Sequence, residues 1–120
     1  MRELHHFISG KVSTGTSGRF SDVFDPNTGD VQARVALASR DEVDGAVKAA
    51  LKAQPEWAAT NPQRRARVMF AFKSLLEANM DELAHMLSAE HGKVIADSKG
   101  DVQRGLEVIE FACGIPHLLK

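Results

Sequence analysis

One cysteine in 120 residues leaves this chain no internal disulfide, and a lone thiol fits a reducing compartment. Surplus charge is missing as well. Its 15 Lys and Arg nearly balance its 16 Asp and Glu, so no strong field draws it onto nucleic acid or an anionic membrane. Apolar runs extend only a few residues, far short of a membrane span. The opening MRELHHFISG carries an acid and lacks both an apolar signal core and an Arg/Ser-rich transit helix, so a cytoplasmic protein is expected. Repeats and low-complexity tracts are also missing. The apolar fraction of 43% is ordinary for a globular protein, and the length suits one domain or an incomplete one.

The usual cofactor signatures do not occur. There is no G-x-G-x-x-G, hence no dinucleotide fingerprint. Gly10-Lys11 and Gly92-Lys93 resemble the end of a phosphate-binding loop. The glycine five positions earlier is replaced by His5 or Leu87, and the Ser/Thr after the lysine by Val12 or Val94. Asp25, Asn27 and Asp30 suggest a calcium loop, but Gly29, Asp30 and Ala36 stand where an acid or amide, a glycine and a glutamate are needed. The five histidines do not form a metal set. His5 and His6 are expected on opposite faces of a strand, His85 and His91 diverge on a helix, and His117 has no ligand neighbour at suitable spacing.

What is present begins with strands over residues 4–38. His6, Ile8 and Val12 share one parity and Phe7 the other, in a stretch closed by Ser13-Thr14-Gly15-Thr16-Ser17-Gly18. Phe20 and Phe24 share a face, Asp25-Pro26-Asn27-Thr28-Gly29 supplies a turn ending in a bulge, and Val31, Ala33, Val35 and Leu37 alternate over a third strand.

From Ser39 onward the pattern is helical. Ser39 with Glu42 is a capping box, and Val43, Ala46, Val47, Ala50 and Leu51 form one apolar stripe. Burying two valines and a leucine stabilises by roughly 1.5–3 kcal/mol each, against about 1 kcal/mol for the cap. Packing is therefore expected to decide the helix, and Pro55 to stop it before Trp57. Asn61-Pro62 opens a second helix with Met69, Phe72 and Leu76 inward and Val68 and Leu75 flanking. Asn79 with Glu82 restarts a third, carrying Leu83, Met86 and Leu87 and ended by Gly92. The fourth spans about Val94 to Cys113, with Val102, Leu106, Ile109 and Ala112 inward, until Pro116. Gly100 and Gly105 each cost it up to about 1 kcal/mol, for which close approach of a neighbouring backbone is the expected compensation at Gly105.

Cys113 is the only candidate nucleophile. It stands at the C-terminal end of a helix, where the macrodipole opposes a thiolate, and among Phe111, Ala112 and Ile115, so an inert buried thiol is expected. Glu90 and Glu110 lack a partner carboxylate at acid/base spacing. No catalytic, cofactor-binding or metal residue is therefore assigned.

The run EHGKVIADSKGDVQRGLEVIEFACGIPHLLK resembles the segment preceding the cofactor-binding strands in the aldehyde dehydrogenase superfamily. Arg104-Gly105-Leu106-Glu107-Val108-Ile109-Glu110-Phe111-Ala112-Cys113-Gly114 with Pro116-His117-Leu118-Leu119-Lys120 is most similar to its CoA-acylating methylmalonate-semialdehyde dehydrogenase branch. Phe7-Ile8-Ser9-Gly10-Lys11 resembles the family's first strand, and Phe24-Asp25-Pro26-Asn27-Thr28-Gly29-Asp30-Val31 its first turn. Asp41-Glu42-Val43-Asp44, Ala46-Val47-Lys48-Ala49-Ala50, Trp57 and Arg64-Arg65-Ala66 resemble its first two helices.

The resemblance covers residues 5–120 and implies an α/β family fold. Residues 1–38 are then short N-terminal strands contributing to subunit association, with a β-hairpin and three strands in all. Residues 39–120 are about four helices of an incomplete NAD-binding domain. It implies an NAD-dependent enzyme, a homo-oligomer and by resemblance a tetramer. Malonate or methylmalonate semialdehyde would be converted with CoA to acetyl-CoA or propionyl-CoA and CO2. The family's catalytic cysteine, nucleotide site and later glutamate lie beyond residue 120, so this segment alone is expected to bind neither NAD nor CoA and to be inactive. The competing expectations are a non-catalytic helical interaction module, or a remnant of a hydrolytic aldehyde dehydrogenase. The helices lack the parallel sheet they would pack against, which favours a piece of something larger.

Overall fold

The computed structural model describes residues 1–119 and falls into two compact units, Met1–Ala58 and Ala59–Lys120. The residue Lys120, part of the PHLLK motif, lies outside the described residues.

Five short strands stand in the first unit where three are expected from the sequence: β1 (Arg2–Leu4), β2 (His6–Ile8), β3 (Lys11–Ser13), β4 (Phe20–Phe24) and β5 (Val31–Ala36). The stretch from His6 to Ser13 is not one strand. Ser9 and Gly10 take φ of 54° and 76°, the positive pair that a two-residue hairpin turn requires, so β2 folds back antiparallel on β3 with Phe7 opposite Val12. The other strands form a sheet in the order β1-β5-β4. β4 and β5 are antiparallel, joined by the expected turn. Asp25 Oδ1 accepts from Asn27 N at 2.8 Å, Gly29 N donates to the Asp25 carbonyl at 2.8 Å, and Gly29 has φ of 80°. The register shifts between Val23 and Phe24, the irregularity expected after that turn. β1 pairs parallel with β5, Arg2 opposite Ala33 and Leu4 opposite Val35.

Because β5 lies between two neighbours, its buried residues are not the alternating set. Ala33 and Ala36, of opposite parity, are buried, while Leu37 is exposed. Over Ala36 passes Gly15, where an added Cβ would lie 2.8 Å from the alanine Cβ. Only glycine fits that crossing.

Helix α1 (Arg40–Ala59) starts at the expected capping box. Ser39 N donates to Glu42 Oε2 at 2.8 Å and Glu42 N to Ser39 Oγ at 3.2 Å. Two expectations fail here. The stripe is uncovered, with Val43, Val47 and Leu51 at 51%, 52% and 67% exposed, so the cap and alanine-rich propensity set this helix rather than burial. Pro55 lies inside the helix instead of ending it. Its surroundings from Leu51 to Ala59 are exposed, so water can satisfy the Leu51 carbonyl that proline leaves unpaired.

In the second unit α4 (Ile95–Cys113) packs on both α2 (Pro62–Ala78) and α3 (Met80–His91), and a 3-10 turn follows over Ile115–Leu118. Asn61 Oδ1 accepts from Gln63 N at 2.9 Å with Pro62 at the first helical position, as expected. Asn79 differs from expectation. Its side chain turns back to α2, Nδ2 donating to the Leu75 carbonyl at 2.7 Å, and leaves the start of α3 without a side-chain cap. Gly92 ends α3 with φ of 85°.

The inner face of α2 is Ala66, Met69, Lys73 and Leu76, with Phe72 exposed at 46%. Lys73 takes the inward place because its stem packs while its ammonium reaches Glu77 at 2.6 Å and Glu110 on α4 at 3.6 Å. The hydrogen bond to Glu77 holds its pKa above the ordinary lysine value. On α3, Ala84 is buried and Met86 exposed. α4 turns Val102, Leu106, Ile109 and Ala112 inward as expected, adding Ser98 and Cys113. The fully buried Ser98 hydroxyl is satisfied by Ser88 at 2.7 Å, pinning α3 to α4. Gly105 has no backbone against it: an added Cβ meets nothing within 4 Å, so its cost is uncompensated in this chain.

Candidate functional site

A polar cluster gathers at the start of α1. Glu42 is placed there by the first helical turn, and both oxygens are engaged, Oε2 by Ser39 N at 2.8 Å and Oε1 by Thr16 N at 2.7 Å. Those backbone donors, Ser39 first, pull its pKa from 4.5 down to about 2. The carboxylate thus stays charged and fully used, which suits an anchor and not a general acid or base. Its bond to Thr16 spans 26 residues and has no local signal in the sequence.

The histidines divide differently from the expectation. His5 and His6 do not diverge. His5 lies outside the strands, so alternation breaks at that residue, and both rings approach Gly15. His5 Nε2 stands 3.7 Å from Glu3, and His6 Nε2 stands 3.6 Å from Glu42. His85 donates through Nδ1 to the Asp81 carbonyl at 2.7 Å. Among the described residues no three His, Cys, Asp or Glu side chains are grouped to hold a metal ion.

Cys113 is buried and reduced at the last turn of α4. It lines an open cleft with Asn61, Gln63, Arg67 and His117. No hydrogen bond to its sulfur occurs among the described residues. Glu110 is drawn to Lys73.

At the start of α1 the Glu42 carboxylate takes the Ser39 amide, at the start of α2 Asn61 Oδ1 accepts from Gln63 N, and α3 and α4 begin without a side-chain cap. No described helix is long and apolar enough to cross a membrane.

The mixed α/β segment, with its capped helices and early hairpin, has close counterparts. The model of the aldehyde dehydrogenase family matches residues 12–120. Malonate-semialdehyde dehydrogenase 3 of Geobacillus kaustophilus is 47% identical over 98% of this chain, and malonate-semialdehyde dehydrogenase of Pseudomonas aeruginosa 42% over all of it. A solved structure from Sinorhizobium meliloti 1021, assigned as a methylmalonate-semialdehyde dehydrogenase and complexed with NAD, superposes on the whole chain with TM-score 0.96 and 63% identity. The chain spans 24% of the length of each of these three relatives. With its strand-and-helix order, its capping residues and nearly its whole length in register with that family, this chain belongs to the aldehyde dehydrogenases.

Proposed function

We propose that this chain is the N-terminal portion of an NAD-dependent, CoA-acylating methylmalonate- or malonate-semialdehyde dehydrogenase. The observation that carries the reading is 63% identity over the whole chain to the S. meliloti protein, supported by the malonate-semialdehyde dehydrogenases at 42–47%. Such an enzyme oxidises the semialdehyde with NAD on a cysteine thiolate and passes the thioester to CoA instead of water, losing CO2.

None of that chemistry is carried by the residues here. The only thiol is buried at a helix end. Residues 1–38 serve subunit association in a homo-oligomer, by resemblance a tetramer. Residues 39–120 cover one side of the NAD-binding domain, in a cytoplasmic protein that engages neither nucleic acid nor membrane. The complete enzyme, given methylmalonate semialdehyde and NAD with and without CoA, should form propionyl-CoA only when CoA is present. A free acid formed at equal rates in both conditions would place it with the hydrolytic aldehyde dehydrogenases instead.

A further inference from the structure

Residues 14–18 pass over the junction of β5 and α1, and two histidines meet them there. Gly15 N donates to His5 Nδ1 at 3.5 Å, a bond available only while that nitrogen is unprotonated. Thr16 N donates to Glu42 Oε1 at 2.7 Å, the same oxygen that His6 Nε2 approaches to 3.6 Å. His6 Nε2 is buried and makes no hydrogen bond. The far end is fastened by groups that do not titrate near neutrality. Ser17 Oγ donates to the Leu37 carbonyl, and Arg19 donates to the Ala38 carbonyl at 2.9 Å.

We propose that residues 14–18 are a strap that protonation of His5 and His6 releases at its Gly15–Thr16 end. Imidazole titrates in the range where no other unperturbed side chain does. A proton on His5 Nδ1 sets N–H against the Gly15 N–H and removes that acceptor. A proton on His6 makes Nε2–H compete with Thr16 for Glu42 Oε1. Glu3 Oε2 stands 3.7 Å from His5, and the Glu42 carboxylate remains ionised beside His6. The remaining face of His5 meets the Phe20 ring edge-on at 6.3 Å, and the Arg34 guanidinium lies across that ring, 4.8 Å from its centroid, and 3.8 Å from Asp22. Strap release leaves the α1 cap in place, because Ser39 holds the other Glu42 oxygen.

Amide hydrogen exchange of the full chain between pH 8 and pH 5, corrected for intrinsic rates, tests this. Protection at Gly15 and Thr16 should fall about three- to tenfold, the value of one hydrogen bond, while the Leu106 amide in α4 stays level. His5→Gln, which retains an acceptor without titrating, should remove the pH dependence at Gly15, and His6→Gln that at Thr16. Unchanged protection at both amides across this range overturns the proposal. So does a fall in step with Leu106, which reports global loosening, or a His5→Gln chain whose Gly15 titrates like the parent.

Discussion

Glu42 joins two stretches of chain that are far apart in sequence, and its ionised state is what both need. Its pKa is depressed from 4.5 to about 2 by the amides of Ser39 and Thr16, so the contribution to folding is complete above about 4.5 and disappears as pH falls through about 2. Thermal melts from pH 7 to pH 2 should therefore show Glu42→Gln less stable than the parent near neutrality, with the gap narrowing below pH 4.5. A gap that persists unchanged at pH 2 would mean packing, not charge, underlies the effect. Cys113, by contrast, is a buried thiol at the C-terminal end of α4. Cys113→Ser in the complete enzyme should retain a rate within about tenfold of the parent, a barrier change below about 1.4 kcal/mol. A larger loss in kcat/KM, with the melting temperature unchanged, would put this sulfur in the chemistry.

At the level of elements, Ser39, Asn61 and Gly92 act as their chemistry dictates while Asn79 and Pro55 do not, and the glycines within α4 carry a cost that nothing nearby offsets. An added Cβ at Gly100 or Gly105 meets nothing within 4 Å. Gly100→Ala and Gly105→Ala should each raise stability by up to about 1 kcal/mol in denaturant titration of this chain. If Gly105→Ala is neutral here yet harmful in the complete enzyme, the close approach expected at that position comes from residues outside this segment. Helix α1 illustrates how local preference outlasts a breaker. Its cap, alanines and exposed backbone carry it through Pro55 to Ala59.

Across the whole molecule, much apolar surface faces water. Val68, Phe72 and Leu75 share one side of α2, Val108 and Phe111 are uncovered on α4, and the Val43–Val47–Leu51 stripe is uncovered on α1. On α3 and α4 Met86 is exposed as well, Leu83, Leu87, Val102 and Ile109 are half-covered, and Leu106 is buried. Patches of this kind drive association, so sedimentation velocity of the isolated chain should show mass rising with concentration. Val68→Lys combined with Leu75→Lys should shift the distribution toward monomer. A parent chain that stays monomeric at high concentration would contradict this.

Some features are legible in the sequence because they are short-range. Ser39 with Glu42, Asn61-Pro62, the Asp25–Gly29 turn and the Gly92 stop each involve groups within a few residues, so their geometry follows from local chemistry. What a helix buries is not local. Periodicity marks an apolar side on α1 and α2, but the covering partner decides whether that side is core. Here Lys73 is inside and Phe72 outside. The parallel pairing of β1 with β5, the Gly15 crossing over Ala36 and the Thr16–Glu42 bond depend on residues 21 to 31 positions apart. Their closure is set by the packing of the unit, and no local preference encodes it. By itself the sequence determined the Ser39 and Asn61 caps, the Asp25–Gly29 turn, the Gly92 stop and the family likeness. The tertiary structure alone decided which faces are covered and which distant groups meet, since burial belongs to pairs of surfaces rather than to single segments.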